Sequence, residues 1–400
     1  MNNDTIINMG REYVMNTYPR HSFALVRGLG SYVWDANGKK YLDFVAGIAV
    51  NNIGHCHPRV VEALREQAGM LLHCSNLYWI EPQVKLAKLL VDNSFATKVF
   101  FCNSGAEANE TAIKLARKWS YNKYGAGRSV IISAVNSFHG RTLTALTATG
   151  QEKYQKGFEP LTPGFTHVPY NDLDALKAAI TPETCAVLLE PVQGEGGVNV
   201  PGSGYLEGVR ELCDKHDLLL MLDEVQTGLG RTGKLFGYEH YGITPDVITL
   251  AKGLGGGVPI GACLARGEAA ETFQPGEHAA TFGGNPLATA AALAAFSVII
   301  DEKLPEQAQK KGEYIISRVE AMKKDHRAIL GARGQGLLIG IPLAVEGKPI
   351  QDKCQGKGLL INCVQSSVLR LIPPLNVTYE EIDKGMDILE EAVAEAEAGK

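Results

Sequence analysis

Between residues 58 and 300 the chain alternates short, continuously apolar runs with longer helix-compatible stretches, and this alternation most limits what it can fold into. The runs are Val99–Cys102, Val130–Ser133, Ala186–Glu190, Leu218–Leu222, Val247–Leu250 and Gly261–Ala265. Most are apolar at successive positions rather than at alternate ones, which marks strands buried on both faces. Proline fits the first turn of a helix. Pro58 therefore opens a helix expected to reach Leu72, and Pro82 opens one expected to reach Val91, while a third helix is expected from the end of the Val99–Cys102 run to Tyr121. Strands alternating with helices predict a mostly parallel sheet covered by helices on both faces.

The flanks read differently. Residues 1–20 look like an amphipathic arm. After the run Ser31–Asp35, Asp35-Ala36-Asn37-Gly38-Lys39 is a hairpin turn signal leading into Tyr41–Phe44. Beyond residue 305 a polar helix, Pro305–Asp325, precedes three strand-like segments, Gly336–Gly340, Leu359–Ile361 and Val368–Leu371, and a last helix from Tyr379 to Ala398. The expected division is an arm and β unit over 1–57, a large domain over 58–300 and a smaller α+β domain over 301–400, joined by the amino-terminal strands.

Bulk properties exclude some functions. A net charge of −5 gives no support to nucleic acid or an anionic membrane as partner. Met1–Thr5 lacks the basic start of a signal peptide. The longest small-apolar stretch, Leu287–Ile300, falls short of the roughly 20 residues of a membrane span and reads as a buried helix. Eight cysteines are scattered without a C-x-x-C pair, as expected of free thiols in a reducing cytoplasm. His55-Cys56-His57 and His73-Cys74 lack the paired spacing of a zinc site, so no metal is expected. No G-x-x-x-x-G-K-[ST] phosphate loop is present.

The chemistry sits where apolar runs end. Val247–Leu250 leads through Ala251 to Lys252 and then Gly253-Leu254-Gly255-Gly256-Gly257, and Leu218–Leu222 leads to Asp223. An amine and a carboxylate at the ends of two neighbouring strands fit pyridoxal phosphate (PLP). The lysine would hold the aldehyde, and the carboxylate would keep the pyridine nitrogen protonated. Gln226 follows Asp223 closely enough to reach the ring hydroxyl. Ser104-Gly105-Ala106-Glu107 opens a helix just past a strand. Ser-x-x-Glu is a capping box, and Gly105 and Ala106 leave amides bare for a phosphate. Phe138-His139-Gly140-Arg141 offers a ring to stack and a guanidinium to fork a carboxylate; alone, it reads better as a core phenylalanine and a surface arginine. Thr281-Phe282-Gly283-Gly284 offers a hydroxyl for a phosphate, or a plain helix entry.

As a set, Ser104–Glu107, Phe138–Arg141, Glu190–Gly197 (EPVQGEGG), Asp223–Gly228, Leu250–Gly257 (LAKGLGGG) and Thr281–Pro286 resemble the class III, ω-amino-group aminotransferases of PLP fold type I, in order along essentially the whole chain. The resemblance implies a large domain with a seven-stranded, mostly parallel sheet, plus a small α+β domain. It implies Lys252 as the cofactor-linked proton shuttle, Asp223 on the pyridinium, Gln226 on its hydroxyl and Phe138 on the ring face. Ser104, Gly105 and Ala106 would hold the phosphate, with Thr281 reaching it across a homodimer interface. Arg141 would bind the α-carboxylate of the amino donor, and Arg370 that of glutamate or 2-oxoglutarate. Glu195 would be the switch neutralising Arg370 when the ω-amine substrate is present.

Gly47–Pro58 and His73–Tyr78 are similar to the acylornithine branch of that class. Ornithine aminotransferases tend to carry a tyrosine within the segment filled here by Gly47-Ile48-Ala49, where it serves a free α-amino group. The implied reaction is transfer from N2-acetyl-L-ornithine to 2-oxoglutarate, giving N-acetyl-L-glutamate 5-semialdehyde and L-glutamate, in cytoplasmic arginine biosynthesis. Succinylornithine, succinyl-diaminopimelate, ornithine and 4-aminobutyrate are the alternative donors. Ala280 departs from the serine that relatives often carry there, which removes one substrate contact.

Overall fold

A computed structural model of the chain describes residues 1–398. Residues 399 and 400, the end of the expected carboxyl-terminal part, lie outside the described residues. After a helix, Asn3–Tyr13, come three antiparallel strands, β1 (Leu25–Leu29), β2 (Tyr32–Asp35) and β3 (Lys40–Asp43). The expected turn joins β2 to β3. Asp35 Oδ1 accepts from the amides of Asn37 and Lys39 at 3.0 and 2.9 Å, which stabilises the turn from its first residue.

The central sheet holds β4 (Lys98–Cys102), β5 (Val130–Ala134), β6 (Phe165–Val168), β7 (Thr184–Leu189), β8 (Leu219–Asp223), β9 (Val247–Leu250) and β10 (Gly261–Ala265), in the order β4-β10-β9-β8-β7-β5-β6. Neighbours pair in parallel from β9 through β6, and β10 is antiparallel to both β9 and β4. The sheet is therefore the expected one. Its continuous apolar runs have a simple cause. Val187, Leu189, Leu220, Leu222, Ile248 and Leu250 pack into one core cluster, while Ala186, Leu188, Met221 and Val247 pack into another on the opposite face. Strand β6 escaped the sequence reading because it is an edge strand, half-buried over most of its length, and includes Thr166 and His167.

Helices Pro58–Ala68, Glu81–Asp92, Gly105–Tyr124 and Pro286–Asp301 follow the expected positions. The first stops short of Leu72, at Gly69, and leaves Met70, Leu71 and Leu72 exposed. In the last part, β11 (Arg333–Gln335), β12 (Leu338–Pro342), β14 (Asn362–Val364) and β15 (Val368–Leu371) form an antiparallel sheet, and β13 (Leu359–Leu360) pairs in parallel with β3. The expected Leu359–Ile361 segment is thus not one strand. Its first two residues join the amino-terminal sheet, and the chain then enters β14. Helices Leu304–Met322 and Tyr379–Ala398 cover these sheets. No helix among the described residues is long and apolar enough to cross a membrane.

Candidate active site

Six of the seven central strands share one direction, so the loops after β4, β5, β7, β8 and β9 gather at a single edge, where open α/β sheets place ligands. Because β10 runs the other way, its lead-in, Val258-Pro259-Ile260, stands at that edge too. These segments enclose a cavity of about 440 Å³, lined by Ser104, Gly105, Ala106, Phe138, Arg141, Glu190, Glu195, Asp223, Gln226 and Lys252 among others. That size is ordinary for a site enclosing a small ligand, for which about 300–1,000 Å³ is typical.

Lys252 begins a tight turn, Lys252–Gly255, directly after β9. Its φ is +45°, a left-handed conformation that costs a non-glycine residue free energy and that collects at functional sites. The glycines after it have separate reasons. At Gly253 a Cβ would lie 2.4 Å from the Asn52 amide nitrogen, and Gly256 and Gly257 have φ of +58° and +113°. Asn52 is itself pinned by the fully buried Arg231, whose Nη2 donates to its Oδ1 at 2.7 Å. Burial lowers the Lys252 ammonium below its ordinary pKa, opposed by the nearby Glu195 carboxylate.

Asp223 ends β8 and is buried. Its Oδ2 accepts from Asn109 Nδ2 at 2.7 Å and is 2.8 Å from His139 Nδ1, and its Oδ1 accepts from the Val225 amide at 3.0 Å. His139 Nε2 lies 3.2 Å from Ser133 Oγ, and Asn109 Oδ1 accepts from Thr249 Oγ1 at 2.7 Å. The Asn109 amide, the Val225 amide and the His139 ring aim this carboxyl group, with lone pairs to spare for one more partner.

The Gly105–Tyr124 helix begins beneath the same cavity. Ser104 Oγ accepts from the Glu107 amide at 3.2 Å, and Ser104 O accepts from Ala108 at 3.0 Å. Glu107 reaches back to the Asn103 amide at 2.7 Å, one residue earlier than a standard capping box. Of the four amides that a helix start leaves without intrahelical partners, those of Gly105 and Ala106 remain for an anion. The packing allows no bulk. A Cβ at Gly105 would lie 2.9 Å from Val225, and one at Gly140 would lie 2.7 Å from the Ala106 Cβ.

Arg370, on β15, is fully buried. Its Nη1 donates to Glu195 Oε1 at 2.6 Å and to Gln226 Oε1 at 3.1 Å, and its Nε to Asn362 Oδ1 at 3.3 Å. Its Nη2 is buried without a partner. Burial would raise the Glu195 carboxyl, but Arg370, Lys252 and Gln226 together hold it below its ordinary pKa. Arg141 is exposed at the cavity wall. No carboxylate lies within ion-pair distance of it among the described residues.

The family model for aminotransferase class-III matches residues 13–393. The chain belongs to that family. This class-III aminotransferase is 55% identical over 391 residues to the acetylornithine aminotransferase of Caldanaerobacter subterraneus subsp. tengcongensis, covering 98% of this chain and 99% of that one. It superposes on an ornithine aminotransferase from Toxoplasma gondii, with PLP partly occupying its active site, at a TM-score of 0.96 and 36% identity, covering 99% and 95% of the two chains. It superposes on an N-acetylornithine aminotransferase from Stenotrophomonas maltophilia at 0.86 and 40%, covering 98% and 100%.

As a class-III aminotransferase the chain uses PLP, and the residues present fit that group. Two bare helix amides, an aimed buried carboxylate and a half-buried amine surround one cavity. The structure brings together Lys252, Asp223, Gln226, Ser104, Gly105, Ala106, Phe138, Arg141 and Glu195 on its wall, with Arg370 directly behind Glu195 and Gln226. It does not bring Thr281 or Ala280 there. Thr281 is exposed outside the cavity, and the Ala280 carbonyl accepts from Asn76 Nδ2 at 3.2 Å.

Four residues of this class-III aminotransferase were not singled out in the sequence. His139 and Asn109 aim Asp223, and Tyr154 stands against Phe138 with ring centroids 5.9 Å apart. Glu190 accepts from the Phe138 and Gly194 amides at 3.0 and 3.1 Å, and burial pushes its carboxyl up to about 7. Asn109 lies in the second turn of the Gly105–Tyr124 helix and His139 within Phe138–Arg141, so their one mark in the sequence is polarity at positions that fold inward. The histidines considered for zinc have other uses: His55 Nε2 lies 2.7 Å from Asp43 Oδ2.

Proposed function

We propose that the chain transfers the amino group of N2-acetyl-L-ornithine to 2-oxoglutarate, giving N-acetyl-L-glutamate 5-semialdehyde and L-glutamate, in arginine biosynthesis. The observation that carries the two-substrate reading is the buried Arg370–Glu195 pair with one guanidinium nitrogen left over. The acetylornithine substrate rests on the similarity to relatives bearing that name and on Gly47-Ile48-Ala49, where no tyrosine stands to meet a free α-amino group.

When bound, PLP supplies an electron sink for the carbon that carries the amine. Lys252 holds the cofactor and then takes and returns the proton at that carbon, a task that burial assists by favouring the neutral amine. Asp223 keeps the pyridine nitrogen protonated, and Gln226 and Phe138 fix the ring. Gly105 and Ala106 bind the phosphate at the helix start, with Ser104 holding that start in shape. Arg141 takes the α-carboxylate of the acylated donor. Arg370 meets a methylene chain in one half-reaction and a carboxylate in the other. Glu195 neutralises it in the first and yields to the incoming carboxylate in the second, because an unpaired buried cation is costly.

We propose further that the enzyme is a cytoplasmic homodimer without membrane or nucleic-acid partners, in which Thr281 serves the partner's phosphate site. Exposed Leu77, Tyr78, Trp79 and Phe282 support this, since Asn76 ties their two loops together through the Gly283 carbonyl at 2.9 Å, and a surface so apolar calls for a cover. Light scattering should give twice the chain mass; a monomer would remove the role given to Thr281. The division at residues 58 and 300 is retained as part of this reading.

The test of function is an absorbance spectrum. N2-acetyl-L-ornithine should shift the cofactor band of the purified holoenzyme, and 2-oxoglutarate should restore it. A band that responds to ornithine or to a succinylated donor instead would move the substrate assignment and leave the chemistry. The Glu195→Gln variant should lose about 10- to 100-fold in kcat/KM with acetylornithine, the equivalent of a charge-assisted hydrogen bond. Its half-reaction with glutamate should change far less. Equal losses in both would remove the switch.

A further inference from the structure

The loop that carries Glu195 is seated on one row of the carboxyl-terminal sheet. Antiparallel pairing sets Arg333 on β11, Gly340 on β12, Arg370 on β15 and Asn362 on β14 side by side. Residues paired in this way project to one face of a sheet. On that face Arg370 takes the Glu195 carboxylate, and Asn362 braces Arg370. Gly340 leaves room for Val198, since a Cβ at Gly340 would lie 2.9 Å from the Val198 Cβ. Arg333 crosses to the loop backbone, donating from Nε and Nη2 to the Gly197 carbonyl at 3.1 and 2.7 Å.

The carbonyls before it are taken as well. Gln365 Nε2 donates to Glu195 O at 3.0 Å, and Asn199 Nδ2 donates to Gly196 O at 3.0 Å. Gln365 reaches in from the turn between β14 and β15. There it and Ser366 hold φ of +48° and +62°, a strained pair for residues with a Cβ. The carbonyls of Glu195, Gly196 and Gly197 thus each accept from a side chain, two of these from the sheet that holds Arg370. At the base of the loop, Gln193 and Asn199 exchange backbone hydrogen bonds at 3.1 and 3.0 Å. The backbone is anchored residue by residue, while the partly exposed Glu195 side chain keeps torsions to turn.

We propose that Arg333 and Gln365 are positioning residues for Glu195, holding its main chain against the sheet so that carboxylates exchange on Arg370 by rotation of the Glu195 side chain alone. The proposal rests on the reading of Glu195 as the group that yields Arg370 to an incoming carboxylate. Neither Arg333 nor Gln365 lines the cavity. Loss of either lets the loop recede, so that Glu195 neutralises Arg370 less well. The deficit is felt where Arg370 faces a methylene chain, because a buried cation then lacks its partner. With glutamate bound, the substrate carboxylate is that partner, and the position of Glu195 counts for less.

The experiment follows both half-reactions spectroscopically in the holoenzyme for Arg333→Met, Arg333→Lys and Gln365→Ala. Arg333→Met is also combined with Glu195→Gln, and melting curves are recorded for every variant. Arg333→Met should lower kcat/KM for acetylornithine by about three- to tenfold, the scale of one hydrogen bond from a charged donor, and that for glutamate by less than about twofold. Gln365→Ala should show the same selectivity with a loss of about two- to fivefold. Arg333→Lys, which keeps the charge and a donor, should recover most of the rate. In the Glu195→Gln background, Arg333→Met should lower the acetylornithine rate by less than about twofold further, because its effect runs through that carboxylate. Should Arg333→Met melt early, the exposed Gln365→Ala decides in its place. The proposal fails if the variants slow both half-reactions alike, if either Arg333→Met or Gln365→Ala leaves acetylornithine turnover unchanged, if Arg333→Lys is as slow as Arg333→Met, or if the losses from Arg333→Met and Glu195→Gln simply multiply. If Glu195→Gln alone does not separate the two half-reactions, the switch reading fails first, and the proposal falls with it.

Discussion

Lys252→Ala should leave a folded protein with no measurable transamination and no cofactor band that shifts on adding amine. Among the described residues Lys252 is the one lysine on the cavity wall, so no other amine there would take over the cofactor link and proton transfer proposed for it. General acid–base catalysis alone is worth about 10²–10⁴-fold, and the lost covalent step adds to it. Alanine also relieves little strain, because the φ of +45° at this position remains unfavourable for any residue with a Cβ. The check is a single-turnover assay beside a spectrum and a melting curve. A variant that retains band and turnover would sink the assignment. A variant that has simply unfolded would show itself in the melting curve, and Lys252→Arg, which keeps the length and charge but not a usable amine, would then be the deciding protein.

Asp223→Ala should lower kcat by about 10²–10³-fold, the loss that follows removal of one preorganised electrostatic partner from a dry site. It should also lower stability by about 1–3 kcal/mol, because two buried donors, Asn109 Nδ2 and His139 Nδ1, lose their acceptor. The two effects separate in Asp223→Asn. That variant keeps the shape and an acceptor oxygen, so most of the stability should return while the rate stays low. Near-normal turnover in either variant would count against a pyridinium partner at this position, and a fall in stability without a fall in rate would leave Asp223 a structural residue only.

The sheet was legible because its central strands are buried on both faces, which writes them as unbroken apolar runs. The residues at their ends stood out for the same reason: a lysine or aspartate after four or five apolar positions has nowhere to go but a cleft. Strand β6 was hidden because an edge strand may carry His167 and Thr166 without penalty, and periodicity then has nothing to report. The split of Leu359–Ile361 between two sheets was hidden because it turns on which backbone waits alongside, in this case β3. Arg370 and Glu195 lie 175 residues apart, and only the family resemblance linked them before the fold placed them 2.6 Å apart. Asn109 and His139 illustrate the remaining limit. Each holds the Asp223 carboxyl group, and a supporting contact of that kind leaves no mark on local spacing.

The reversed strand β10 has a mechanical consequence. The chain leaves the sheet at Leu250 and re-enters it at Gly261 on the same edge, with Leu250 and Ala262 paired across the two strands. Residues 251–260 are therefore a closed strap, stitched to the sheet at both ends. On the proposed reading Lys252 would hold the cofactor from this strap, so its amine stays within reach of the cavity in a geometry that the sheet has already set.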